Sequence, residues 1–182
     1  MEKDVAISLP LQISKLAEAL ILASASIASF FVPFSLGHPQ WLVGTIVNAC
    51  LLLGAIYLPQ KYFIPLAILP SLGVLARGLI FGPFTYFLVY FLPFIWLGNF
   101  VLIIAFKNAF SRFGYVPSVF LAAVAKFLFL FLVANIYFEF SIVPAIFVQT
   151  MGSNQLATAL AGGLMSWVIF IFYGNSRSKR GN

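Results

Sequence analysis

Six apolar stretches, each long enough to cross a bilayer, decide what this chain can fold into. A crossing helix needs about 17–25 mostly apolar residues. Windows of that kind lie near Ser14–Phe31, Trp41–Leu58, Tyr62–Ile80, Phe84–Phe106, Pro117–Phe138 and Asn154–Tyr173. Pro, Gly and charge mark the breaks: Val32-Pro33 to Pro39-Gln40, Leu58-Pro59-Gln60-Lys61, Gly82-Pro83, Lys107 to Tyr115, and Glu139 to Ser153. Pro65, Pro70 and Pro93 fall inside spans three and four, where kinks are tolerated. Only 8% of the residues are charged, against about 25% in a soluble domain, so water could not hold such a surface. The predicted fold is an all-α integral membrane protein, a single membrane domain over residues 1–182 with about six transmembrane helices.

The basic residues orient it. With the N-terminus inside, the inner ends carry Lys3, Lys15, Lys61, Lys107, Arg112, Arg177, Lys179 and Arg180, eight of the ten Lys and Arg in the chain. The outer connections hold only His38 and Glu139. Lys and Arg are retained on the cytoplasmic side during insertion, so both termini are expected there, in a multi-pass protein of the cell membrane. The net charge of +6 is accounted for by this topology and by anionic lipid heads, with no nucleic acid needed. Met1 to Asp4 mixes charges and more spans follow, so the first apolar run reads as a retained helix, not a cleaved signal.

Two basic residues are left inside spans. Arg77 lies near the outer end of span three, where it can snorkel to the headgroups or serve a ligand. Lys126 is nine residues into span five, about 13 Å deep, where a charge costs on the order of 2.5–3.5 kcal/mol and calls for a partner. The acids near the membrane are Glu18 and Glu139. If neither pairs, two buried cations favour an anionic or carbonyl-rich ligand. Asn48, Asn99 and Asn135 are buried amides able to bond across helices. Asn99, read toward the inner side, suits structural glue, whereas Asn48 and Asn135 lie where a pocket could use them.

The outer connections are unusually apolar. Phe31 to Trp41 contains two prolines and ends in His38, Gln40 and Trp41, as a lid over the bundle or an interfacial aromatic belt would. Ser141 to Gln155 includes Ala145–Met151, too short to span. It reads as a re-entrant or interfacial piece ended by Gly152, with Gln149, Asn154 and Gln155 as ligand-facing amides; one long kinked helix from Pro144 is the alternative. Small residues at helical spacing, Ala19 with Ala23 in span one and Ala157, Ala161, Gly162 and Gly163 in span six, permit close helix approach.

The chain shows no phosphate loop, zinc-protease signature, nucleophile elbow or aspartate dyad. Cys50 and His38 are single, so no metal or cofactor site is expected. An enzyme embedded in the membrane is disfavoured, and an ATP-driven step would require another subunit.

In length, span number, orientation and alanine-rich first helix, the chain resembles the substrate-binding subunits of energy-coupling-factor vitamin transporters. The resemblance implies that Ala19 and Ala23 dock a transmembrane coupling protein, which works with ATPase subunits. It also implies that a vitamin-like molecule is bound from outside beneath the connections after spans one, three and five. The family's metal-binding members use an N-terminal His that this chain lacks. The expected site is therefore His38, Gln40, Trp41, Asn48, Arg77, Lys126, Asn135, Gln149, Asn154 and Gln155, in a protein that captures a small molecule for an importer. The rival reading is a structural or assembly protein whose buried polar groups serve packing alone.

Overall fold

A computed structural model describes residues 14–36, 38–81 and 85–178. Its helices are α1 Lys15–Leu36, α2 Gln40–Tyr57, α3 Phe63–Phe81, α4 Thr85–Phe113, α5 Tyr115–Glu139, α6 Ile146–Met151 and α7 Ser153–Ser178, with a 3-10 turn at Gln60–Tyr62. The described residues contain no strand. Five helical stretches are long and apolar enough to cross a membrane: Lys15–Leu36, Gln40–Tyr57, Phe87–Phe113, Tyr115–Glu139 and Ile146–Phe172. That is the make-up of a multi-pass membrane protein. Met1 to Asp4, the Gly82-Pro83 break, Lys179 and Arg180 lie outside the described residues.

Local chemistry sets the helix ends. Pro59 bars its predecessor from the helical region, and Leu58 accordingly turns extended (φ −104°, ψ 147°) and ends α2. Gly114, at φ 74°, is the whole connection between α4 and α5; a side chain would be strained in that left-handed conformation. Gly152 interrupts the helical stretch between α6 and α7, so the short piece before span six is helical and set off from it at that one residue.

Two expected breaks are not breaks. Phe31 to Leu36, read as a loop folded over the bundle, is the last part of α1, which runs on through Pro33. One lost backbone bond at Pro33 costs less than unwinding a turn inside hydrocarbon. Likewise α4 continues through Lys107 and Arg112 to Phe113, giving 29 residues. Charge ends an apolar window without ending a helix, because a long basic side chain can lie along the apolar surface. Lys107 does so, with Nζ 4.8 Å from the ring centre of Phe63. The helices also continue through Pro70 and Pro93.

The long helices close a ring in which α1 packs on α2 and α3, α3 on α4, α4 on α5, α5 on α7, and α7 back on α2. Across the ring α2 also meets α4. One half of the bundle is a dry core: Leu51, Leu52 and Ile56 of α2, Phe63 and Leu66 of α3, Leu102, Ile103 and Phe106 of α4, and Ala122 of α5 are fully buried together. The opposite half is held by a smaller cluster of Phe91, Leu130, Val133, Ala134, Val143 and Met151, and there the ring is hollow. Leu20, Ile27, Phe120, Leu128, Leu132, Leu164 and Phe172 point outward, an apolar perimeter suited to lipid tails.

The α2–α7 contact depends on Gly162. A Cβ there would lie 2.7 Å from Asn48 Cβ and 2.8 Å from Ala49 N and Thr45 O. Two of those atoms are backbone and cannot move aside. The small residues of span six therefore divide: Gly162 and Gly163 are buried inside the bundle, while Ala157 and Ala161 are exposed. Gly162→Val should lower stability by about 1–3 kcal/mol through overpacking, measured by unfolding in detergent, whereas Ala161→Val should leave it unchanged. Equal effects would contradict this contact.

Candidate functional site

Each of three polar residues stands at or beside the middle of its helix: Asn48 in 18-residue α2, Asn99 in 29-residue α4 and Lys126 in 25-residue α5. Side chains at that depth must find partners within the protein. They find each other. Lys126, 2% exposed, donates from Nζ to Asn48 Oδ1 at 2.7 Å and to Asn99 Oδ1 at 2.8 Å.

The orientation of both amides is dictated from behind. Asn99 Nδ2 donates to the Ala67 carbonyl at 2.9 Å, which can only accept. Asn48 Nδ2 donates to Thr158 Oγ1 at 3.2 Å, and that hydroxyl spends its own hydrogen on the Asn154 carbonyl at 2.8 Å. Both amide oxygens are thus turned toward the ammonium. The network ties α2, α4 and α5 directly, α3 through Ala67 and α7 through Thr158.

Above it lies a cavity of about 790 Å³. Its floor is the buried set Asn48, Asn99, Lys126, Thr158 and Ser71; its mouth is marked by the exposed residues His38, Gln40, Trp41, Gln149 and Asn154. Val43, Val47, Val74, Leu88 and Ile95 line it between these levels. Ser71 is anchored by the Trp96 indole N–H, which donates to its hydroxyl.

Arg77 lines the same cavity and reaches α1, donating from Nη1 to the carbonyls of Phe34 at 3.0 Å and Ser35 at 2.9 Å. A guanidinium there satisfies carbonyls that the last turn of α1 leaves without helical partners and opposes the negative end of the helix dipole. On the other side α6 forms part of the wall through Phe147, Gln149, Thr150 and Met151. It is fixed by aromatic packing: Phe147 stacks on Phe91 at 5.5 Å and meets Phe87 edge-on at 5.7 Å.

The structure brings nine of the ten expected site residues to this one cavity: His38, Gln40, Trp41, Asn48, Arg77, Lys126, Gln149, Asn154 and Gln155. Asn135 is not among them; its amide donates to the Phe131 carbonyl on its own helix at 2.7 Å, the usual resting place of a polar side chain facing outward in a span. Lys126 is held by amide oxygens and not by Glu18 or Glu139. Among the described residues no group of three or more His, Cys, Asp or Glu is placed to hold a metal.

Asn99 and Thr158 complete the floor although sequence reasoning left them out. Asn99 looked too far inward because span four was ended at Phe106; with α4 extended to Phe113 it becomes the middle residue. Thr158 carried no signal of its own, since its role arises only where α7 crosses Asn48. No family model matches the chain, and no curated protein or solved structure matches it.

The network predicts coupled stabilities. Asn99→Leu leaves Lys126 with one acceptor, and should cost about 1–3 kcal/mol. In the Asn99→Leu background, Lys126→Met should cost at least about 0.5 kcal/mol less than it does alone, measured by unfolding in detergent. Strict additivity would show that the two side chains do not act together.

Proposed function

We propose that this chain is a capture protein of the cell membrane. A six-span bundle with both termini on the cytoplasmic side takes a small molecule from the outer face into the cavity above Lys126. We read it further as the substrate-binding subunit of an ATP-driven importer, with the vitamin-like substrates of the transporters it resembles. The observation that carries this reading is the cavity: about 790 Å³, within the roughly 300–1,000 Å³ of small-molecule sites, with mostly apolar walls and a few convergent polar groups. A protein whose buried polar groups served packing alone would have no use for so large an opening beside them.

The other elements agree. Lys15, Lys61, Lys107 and Arg112 lie on helix ends away from the cavity mouth, the distribution expected if the mouth faces outward. The 19-residue α3 is long enough for the remaining span. Ala19 and Ala23 are exposed on α1, beside exposed Leu16 and Leu20, so a transmembrane coupling protein has an open, small-residue face to meet. ATP hydrolysis then belongs to separate ATPase subunits.

Two measurements test this. Native mass spectrometry of protein released from detergent should find a retained small molecule, lost when Val47→Trp fills the cavity; identical spectra for the two proteins would count against capture. In a Cys50→Ala background, Gln149→Cys should react with a membrane-impermeant maleimide on intact cells, and Ser111→Cys only after permeabilisation. The reverse pattern would invert the protein and end the reading.

A further inference from the structure

We propose that the cavity selects a small apolar monoanion, whose carboxylate or equivalent oxyanion docks on Lys126 Nζ with the acid end innermost. The inference rests on the capture reading above and adds the charge and the orientation of the ligand.

The first ground is an unspent donor. An ammonium has three N–H groups, and Lys126 uses two, on Asn48 and Asn99. The residue is 2% exposed and lines the cavity, so the third is available to whatever enters. Each flanking amide turns its oxygen to Nζ and commits one N–H behind, to Thr158 or Ala67, and neither carries a charge. The charged donor at the floor is the lysine.

The second ground is missing counter-charge. Among the described residues, those lining the cavity with Lys126 include no Asp or Glu. Glu139 is thirteen residues along α5 from Lys126, about 20 Å by helix rise. Glu18 is in the first turn of α1, at the far end of that helix from Pro33, which lines the cavity. Amide oxygens solvate an ammonium without neutralising it, and a buried cation without an opposite charge is costly. A neutral carbonyl would fill the third hydrogen-bonding position and leave the charge; a carboxylate fills both needs.

The third ground is the sign of the field. A cationic side chain at the floor of a cavity with apolar walls attracts an anion and repels a cation. Val43, Val47, Val74, Leu88 and Ile95 then match an apolar body, and leave a sugar or polyphosphate without partners along the middle of the cavity.

The test uses three probes with one ring and different heads: benzoate, benzyl alcohol and benzylammonium. Protein labelled with 15N at the lysine side chains is titrated in detergent, the Lys126 signal being assigned by its absence in Lys126→Met. Benzoate should shift the Lys126 Nζ signal saturably and bind at least about tenfold tighter than benzyl alcohol, with no saturable shift from benzylammonium. Equilibrium dialysis should show benzoate binding fall by at least about tenfold in Lys126→Met and stay unchanged in the surface variant Lys61→Met. Benzoate binding no tighter than the alcohol overturns the proposal, and this comparison within the unmutated protein holds even if Lys126→Met does not fold. If the alcohol or the cation binds best and Val47→Trp excludes it, the anion assignment falls and capture stands. If no probe binds and Val47→Trp changes nothing, both fall.

Discussion

A lysine ammonium placed midway along a membrane helix is costly without polar partners, and the bundle is arranged around satisfying it. Two asparagine oxygens from two other helices converge on Nζ, and a backbone carbonyl and a threonine hydroxyl hold those amides in the needed orientation. Five of the six long helices are thereby linked at one level. The sixth, α1, is tied by a second cation, since Arg77 of α3 closes on its terminal carbonyls. In lipid the helices gain little from burying apolar surface against each other, because the tails are equally apolar. Polar contacts and close packing therefore decide which helices meet.

The same level divides the molecule in two. On one side the helices fill the space between them with Leu, Ile and Phe side chains. On the other they are spaced around a cavity walled partly by α6. That six-residue helix is too short to cross anything, and its position follows from the Phe87, Phe91 and Phe147 cluster. Under the proposed capture role, a hollow bounded by ordered elements, with its polar groups fixed from behind, would leave little conformational entropy to be lost on binding.

Much of the site was visible in the residues themselves, for a reason specific to membranes. In a soluble protein a lysine or glutamine amid apolar residues says little, but at bilayer depth its cost singles it out. Lys126, Asn48 and Arg77 stood out on that ground, and Gln149, Asn154 and Gln155 because they interrupt an apolar connection. Asn135 met the same criterion and satisfies itself on the preceding turn of its own helix. Depth along a helix cannot distinguish it from Asn48, because the distinction lies in which way the helix faces. Asn99 was misplaced for a different reason: Lys107 ended the apolar window but not the helix, and the midpoint moved with the true end.

Hydropathy and the positions of Pro, Gly and charge determined by themselves that the chain is helical and membrane-spanning, and where most helices begin and stop, since these follow from the local cost of exposing peptide groups and charges to hydrocarbon. Tertiary structure alone decided that Lys126 meets amides instead of carboxylates, that Thr158 and Ala67 stand behind those amides, and that nine scattered polar and aromatic residues share one cavity. Those outcomes depend on helix rotation and neighbour choice, which are set by side-chain contacts between segments as far apart in the chain as Asn48 and Thr158. No local property of either segment encodes them.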